Sequence, residues 1–126
     1  MKYNTFAKKY NGVTLEDSGA YVSEDFRQFA KSFRALMKEY AAEQGWMIEK
    51  YSVGHYDISG FLTKDERCIY FRYSPGRYRP IDLTLSTALR GVIMRTAQDT
   101  KDYVGGVNNF CSVANIPNTI KRLSGR

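Results

Sequence analysis

The strongest pattern in the chain is a long amphipathic stretch over residues 24–44, and it requires a fold that accommodates one long helix. Apolar residues recur there every three or four positions, the spacing that places side chains along one side of an α-helix. At about 1.5 Å per residue the helix would be about 30 Å long, close to the diameter of a small domain. Ser23 is the predicted N-cap and Gly45 the predicted end. The predicted apolar stripe is Phe26, Phe29, Ala30, Phe33, Leu36, Met37, Tyr40 and Ala41.

An apolar stripe with three phenylalanines has several possible uses. It can form the core, a seam between subunits, or a platform for a ligand. Because the stripe offers more apolar surface than a small sheet needs, we expect the helix to pack against another subunit as well as its own sheet.

Two shorter helices are predicted near the ends of the chain. Residues 2–10 place Tyr3, Phe6, Ala7 and Tyr10 on one side of a helix that Asn11 and Gly12 would end. Between residue 110 and Pro117 we expect irregular structure. A final helix over residues 118–123 would then start near Pro117 and end at Gly125.

From Trp46 onward the hydrophobic pattern changes to the period of β-strands. Three strands are predicted over residues 46–53, 55–62 and 68–74, with a polar turn at 64–67 joining the second to the third. A fourth follows the same alternation over residues 89–96. The predicted fold is therefore α+β, with N-terminal helices, one of them long, packed on an antiparallel β-meander and a short C-terminal helix.

The alternation also predicts which strand residues share a face. In the third strand, Ile69, Phe71 and Tyr73 lie on one side, while Tyr70 and Arg72 lie on the other. In the fourth strand, Arg95 shares a side with Leu89, Gly91 and Ile93, and Arg90 shares the opposite side with Val92, Met94 and Thr96. The segment 75–80 contains two prolines and two arginines, so it is predicted to be a loop that either binds an anion or is simply solvated. Residues 81–88 fit either a short strand or a turn.

Length and composition indicate one soluble domain over residues 1–126. Within it, residues 1–45 form the helical part, 46–110 the sheet and ligand loop, and 111–126 a C-terminal segment. The net charge of +6 favours anionic partners, although the basic residues are spread along the chain without a run of like charges. No signal peptide or transmembrane stretch is evident, and two isolated cysteines suit a reducing cytoplasm.

Catalytic and metal-binding motifs are not found, so no cofactor or metal is expected. His55 is the single histidine, and it is either a hydrogen-bonded structural residue or an acid or base.

The stretch 89–110 is the candidate ligand site. A predicted strand leads into the polar residues 98–103, then into Gly105 and Gly106, which can adopt positive φ and expose backbone N–H groups. Asn108 and Asn109 follow. These groups suit phosphates, ribose hydroxyls and the edge of a base, although an ordinary polar turn would have the same composition.

Four segments in order carry a resemblance to a known family. They are residues 54–61 (GHYDISGF), 70–74 (YFRYS), 94–97 (MRTA) and 101–109 (KDYVGGVNN). Together they resemble phage and prophage proteins of the first Thoeris anti-defence family, over about residues 46–110. The resemblance implies a non-enzymatic sponge in the host bacterial cytoplasm, which sequesters cyclic ADP-ribose isomers made by TIR-domain proteins. It also implies N-terminal helices on an antiparallel sheet, and a homo-oligomer that is a dimer or a trimer of dimers. Some members also bind cyclic oligonucleotides, which makes cyclic di- and trinucleotides further candidate ligands.

The resemblance also assigns roles to particular residues. It implies adenine stacking for Phe71 and a pyrophosphate contact for Arg95. Hydroxyl or base contacts are implied for a further set, although hydroxyl side chains are common in the family where this chain has Val104 and Val107. That set is Thr96, Asp102, Asn108 and Asn109.

Four alternatives stay open at this point, two for residue roles and two for function. Phe71 can be a core residue instead of a stacking platform, and Arg95 can pair with Asp99 or Asp102 instead of an anion. The chain can also be an inhibitor, like anti-CRISPR proteins, that binds protein or nucleic acid through a basic surface. After the sponge and the inhibitor, a nucleotide hydrolase is the third class of function.

Overall fold

The structure is a computed structural model that describes residues 2–15, 24–54, 57–75, 79–87, 90–101 and 105–125. The predicted α+β class is confirmed, with two helices, an antiparallel meander and a short C-terminal helix in that order. The elements are α1 (Lys2–Tyr10), α2 (Glu24–Glu43), β1 (Met47–Val53), β2 (Ile58–Lys64), β3 (Arg67–Tyr73), β4 (Val92–Ala97), β5 (Asn109–Cys111), a 3-10 turn (Val113–Asn115) and α3 (Ile116–Ser124).

The long helix α2 forms where the apolar period predicts it. All eight residues of the predicted stripe are buried, each 5% exposed or less. Glu24 and Asp25 lie in the first turn, where carboxylates interact favourably with the helix dipole. The helix ends before Gly45, whose φ of +80° suits a residue without a side chain. The predicted N-cap, Ser23, lies outside the described residues.

The apolar stripe of α2 is covered within the described chain, so it offers no surplus apolar surface, and packing of α2 against another subunit stays a prediction. Phe29 packs against Phe6 of α1, with ring centroids 5.5 Å apart. Phe33 stacks on Tyr73 of the sheet at 5.1 Å. The Tyr51 hydroxyl donates to the carbonyl oxygen of Ala30 at 2.6 Å, which fixes α2 to the first strand. The stripe is therefore buried within one chain, in a core to which α1, the sheet and α3 also contribute side chains.

The sheet is an antiparallel meander in the order β1-β2-β3-β4-β5. The first three strands and the turn at Asp65 confirm the sequence pattern within a few residues. The fourth strand begins at Val92, since Arg90 and Gly91, which the alternation also placed in it, lie outside the strand. Arg90 is outside the ladder because its backbone N–H bonds to the Thr87 hydroxyl and its guanidinium donates to the Pro80 carbonyl oxygen. The part of residues 81–88 that the structure describes contains a turn, with Ile81 and Leu83 buried.

The last strand was not predicted. The segment Asn109–Cys111 pairs with β4, and the expectation of irregular structure between residue 110 and Pro117 holds only at Ser112, because the 3-10 turn and α3 follow directly. Three residues are too short to show an alternating pattern in sequence. The C-terminal helix is confirmed, although it starts earlier than expected, with Pro117 in its first turn.

The strands have one face on the core and one face turned away from it, which we call the open face. The core takes Ile69, Phe71 and Tyr73, as the alternation predicts. The described helices contribute their buried apolar residues to that same core. The open face carries Phe61, Tyr70, Arg72, Ile93, Arg95 and Phe110.

Among the described residues, no helix has the length and apolar character needed to cross a membrane.

Candidate ligand cleft on the open face

A cleft of about 340 Å³ lies on the open face, where β3, β4 and the segment before β5 meet. This volume is within the range of about 300–1,000 Å³ usual for small-molecule sites. It combines two guanidinium groups, a phenol ring, an aliphatic side chain and an amide, which together suit an anion with an attached polar group. We call it the arginine cleft. Its lining residues are Tyr70, Arg72, Ile93, Arg95 and Asn108.

Arg95 is held in place from two directions. It lies directly opposite Tyr70 in the β3–β4 register, and its guanidinium sits 4.9 Å from the centre of the Tyr70 ring. Its Nη1 donates to Oδ1 of Asn108 at 3.1 Å. An arginine stacked on a ring and bonded to an amide loses little further freedom when it binds a phosphate. The geometry therefore gives a guanidinium that is ordered before a ligand arrives.

Arg72 supplies a second positive charge to the same cleft. Its Nε lies 3.3 Å from Oδ2 of Asp57, and the two side chains are 48% and 40% exposed. An ion pair as exposed as this one is weak, because water screens both charges. Asp57 therefore orients Arg72 without neutralising the cleft, and an anionic ligand can compete for the guanidinium.

Gly105 and Gly106 do not act as the sequence suggested. Neither has a positive φ, which among the described glycines belongs to Gly12 and Gly45. They are needed because the chain passes very close to β4. A Cβ on Gly105 would lie 2.1 Å from the carbonyl oxygen of Thr96, and one on Gly106 would lie 2.4 Å from its hydroxyl. The expected free amide is also wrong at Gly106, since its N–H donates to the Thr96 carbonyl oxygen at 2.8 Å.

The predicted polar residues divide between cleft and scaffold. Asn108 lines the cleft. Asn109 does not, because its Nδ2 donates to the carbonyl oxygens of Val107 at 2.9 Å and Met94 at 3.3 Å. Its Oδ1 accepts from Arg122 of α3 at 3.4 Å, so Asn109 ties β5 to its neighbours. Thr96 contacts the glycine segment instead of the cleft, and Asp102 lies outside the described residues.

The adenine platform predicted at Phe71 is wrong, because its ring is in the core. Phe71 is 0% exposed and lies 6.3 Å from the ring of Tyr51. Its face of β3 is the face that α2 covers. The exposed ring of the open face is Phe110, which is 45% exposed and lies opposite Ile93 in the register. Residues directly opposite in an antiparallel pair point to the same side, so Phe110 lies beside Ile93 on the open face, next to the residues that line the cleft.

Sequence reasoning did not assign site roles to Tyr70, Arg72, Ile93 or Phe110. The alternation of β3 and β4 did place Tyr70 with Arg72 and Ile93 with Arg95. The missing signal was which of the two faces the helices cover, and a strand pattern alone does not contain it.

Two other depressions compete with the arginine cleft. A groove of about 540 Å³ between α1 and α2 includes Lys2 and Lys9, but Glu39 places a carboxylate in its wall. A third depression, of about 620 Å³, holds Glu49, Asp65, Glu66 and Asp99, a poor environment for a phosphate. The arginine cleft is the one of the three with two arginines in its wall and no carboxylate.

Other reactive groups play no evident part in the cleft. Burial, with the nearby carboxylates of Glu49 and Asp99, raises the pKa of the Cys68 thiol, so the unreactive protonated form is favoured. Within the described part of the chain, no group of three or more His, Cys, Asp or Glu is arranged to hold a metal ion. His55 and Arg77 lie outside the described residues, and Arg79 is exposed.

Comparisons with protein-family models, curated proteins and solved structures give no match to this chain. The geometry of the arginine cleft and the sequence resemblance are therefore the two observations that bear on function.

Proposed function

We propose that the protein is a non-catalytic phage or prophage sponge that binds cyclic ADP-ribose-type nucleotides and so blocks bacterial Thoeris immunity. It would act in the cytoplasm of the host bacterium, where TIR-domain proteins make the signal. The observation that carries the proposal is the Arg95 guanidinium, stacked on Tyr70 and bonded to Asn108 at the wall of an open cleft.

The pyrophosphate is the part of such a nucleotide that this cleft suits best. Arginine presents its N–H groups in a planar fork that matches two phosphate oxygens. Arg72 and Arg95 lie on adjacent strands and face the same cleft. A diphosphate between them would meet two positive charges, and one of these is already ordered by Tyr70. Such charge-assisted contacts contribute about 1.5–3 kcal/mol each.

The adenine and the ribose hydroxyls need different partners. Phe110 offers an exposed ring beside Ile93, so we assign base stacking to Phe110 in place of Phe71. The Asn108 amide is on the cleft wall and can bond a hydroxyl or a base edge. Asp102 keeps its proposed hydroxyl contact. Thr96 and Asn109 act as positioning residues, because they hold the segment that carries Asn108.

The proposed sponge assembles as a homo-oligomer, a dimer or a trimer of dimers. Because the apolar stripe of α2 is buried inside the chain, this assembly would use other surfaces of the protein. Cyclic di- and trinucleotides are further proposed ligands, since they present the same phosphate and base chemistry.

The test is to mix the protein with a TIR-derived cyclic ADP-ribose isomer, remove the protein by filtration, and then denature it. We expect depletion of the nucleotide from the filtrate, followed by its recovery unchanged from the denatured fraction. A sponge binds the ground state of its ligand, whereas an enzyme would return a product. Recovery of linear ADP-ribose would indicate a hydrolase. No depletion would favour an inhibitor that acts through a basic surface.

A further inference from the structure

A row of four exposed basic residues runs along one side of α2, and we call it the basic ridge. Successive members are three or four positions apart, so they lie above one another on the helix surface. At about 1.5 Å per residue the ridge extends about 16 Å, with its charges about 4.5–6 Å apart along the axis. Its members are Arg27, Lys31, Arg34 and Lys38.

The acidic residues of α2 are separated from the ridge. By helix periodicity Asp25, Glu39 and Glu43 point away from the ridge, and Glu39 lines the groove against α1. The exception is Glu24 at the N-terminal end, whose Oε2 lies 2.7 Å from Arg27. In the described part of the chain, Lys31, Arg34 and Lys38 are in no salt bridge. Three adjacent cations of the ridge therefore have no ion-pair partner among the residues that the structure describes.

This arrangement opposes folding of the helix. Like charges three or four residues apart destabilise a helix, and the ridge contains three successive pairs of that kind. Interspersed glutamates at the same positions would stabilise it instead. Arg34 is also ordered, with its guanidinium 5.4 Å from the centre of the Tyr51 ring on the neighbouring strand. The ridge thus concentrates positive charge on a rigid element, as an anion-binding surface requires.

We propose that the basic ridge binds the phosphate backbone of double-stranded nucleic acid without reading its sequence. Each strand of a duplex presents a phosphate for about every 3.4 Å of helix axis, so cations about 4.5–6 Å apart on a straight helix can each contact a different phosphate. An acidic protein is the less suitable partner. Protein interfaces have apolar and aromatic centres, whereas none of the exposed large apolar residues lies on α2.

This inference is independent of nucleotide capture. The ridge is on α2, which covers the core face of the sheet, while the arginine cleft is on the open face. The two surfaces can therefore be inactivated separately. Arg95→Ala should leave nucleic-acid binding unchanged, and ridge substitutions should leave nucleotide capture unchanged.

The test measures fluorescence anisotropy of a labelled DNA duplex of about 20 base pairs, titrated with protein at several salt concentrations. The wild-type protein should bind, with log K falling against log salt at a slope of about −3 to −4 for four phosphate contacts. The triple variant Lys31→Gln, Arg34→Gln, Lys38→Gln should bind at least about tenfold more weakly at low salt, with a slope near −1.

The matched control removes three lysines from α1: Lys2→Gln, Lys8→Gln and Lys9→Gln. These side chains are also exposed. Because both variants lose three positive charges, the control has the same net charge as the ridge variant. Its duplex affinity should stay within about threefold of wild type, because charges outside the ridge attract the duplex only through the diffuse electrostatic field of the protein. The double variant Lys31→Gln, Lys38→Gln keeps the Arg34–Tyr51 contact and is the substitute if the triple variant folds poorly. Its duplex affinity should lie between those of the wild type and the triple variant.

Three results would overturn the proposal. The first is a wild-type protein that does not bind the duplex at low salt, and the second is an equal loss in the α1 and ridge variants. The third is a protein that binds labelled polyglutamate but not the duplex, with the polyglutamate binding abolished by the ridge substitutions. That result would assign the ridge to an acidic protein.

Discussion

At the scale of single residues, the proposed function depends most on Arg95, whose guanidinium lines the arginine cleft. The pattern places it near the end of a strand, and the structure adds the Tyr70 ring and the Asn108 amide that order it. Phe71 is the opposite case. The family resemblance implies a stacking role for Phe71, whereas its side chain points into the core at 0% exposure, as the alternative interpretation of the sequence allowed. A residue's type can be read from the sequence, but the accessible side of a strand depends on where the helices pack.

Arg95→Ala should remove nucleotide capture while leaving the fold intact. We expect an affinity loss of at least about tenfold, since a charge-assisted contact to phosphate contributes about 1.5–3 kcal/mol. The stability cost should be below about 1 kcal/mol, the usual contribution of an exposed cation–π contact. Titration calorimetry and a thermal melt on the same sample measure both.

The control for this substitution is Arg27→Ala, which removes the same charge from the exposed side of α2. It should leave nucleotide affinity unchanged. If Arg95→Ala keeps full affinity but lowers the melting temperature markedly, Arg95 is a structural residue that pairs within the protein, and it leaves the proposed site.

At the scale of elements, periodicity predicted most of the fold. The stripe predicted for α2 is the set of residues that the structure buries, because a long helix repeats its pattern often enough to be unambiguous. The strand β5 and the start of β4 were not predicted correctly. Three-residue strands contain too little pattern, and hydrogen bonds from Arg90 to the preceding loop end the ladder at a point that alternation cannot reveal.

Gly105→Ala should disturb the segment that carries Asn108. The added methyl would lie 2.1 Å from the Thr96 carbonyl oxygen and 2.7 Å from the Ala97 Cα, so the backbone must move away from β4. We expect a stability loss of about 1–3 kcal/mol, as for other overpacked sites, together with weaker nucleotide binding. Urea denaturation provides the first quantity and calorimetry the second.

Gly125→Ala is the matched control, since the nearest atom to its added methyl would be 3.7 Å away. It should be close to neutral. Equal stability of the two glycine variants would mean that the close approach of residue 105 to β4 is not maintained in solution.

Phe33→Ala should destabilise the fold of the single chain. The side chain is 0% exposed and stacks on Tyr73 at 5.1 Å, so its removal leaves a cavity costing about 3–5 kcal/mol. Urea denaturation at several protein concentrations tests this. The loss should be independent of concentration, because the stripe is buried within one chain. A loss that disappears as the protein is concentrated would instead return the stripe of α2 to a subunit interface.

At the scale of the whole molecule, the distribution of charge in space differs from its distribution in sequence. Counted along the chain, the excess of six positive charges looks evenly scattered. Folding gathers part of it into the arginine cleft on the open face and part into the basic ridge on α2. The ridge was in the sequence as a spacing of three and four residues within a predicted helix. The cleft was not, because its residues come from separate strands and depend on the sheet register.

We propose the arginine cleft, and not the groove between α1 and α2, as the nucleotide site. A nitrogen–proton NMR titration of labelled protein with a TIR-derived cyclic ADP-ribose isomer distinguishes the two. We predict that the amide signals of Tyr70, Arg72, Arg95, Asn108 and Phe110 shift strongly, while those of Lys9 and Glu39 stay in place. Shifts concentrated at Lys9 and Glu39, with the signals of Arg95 and Asn108 unmoved, would contradict the account.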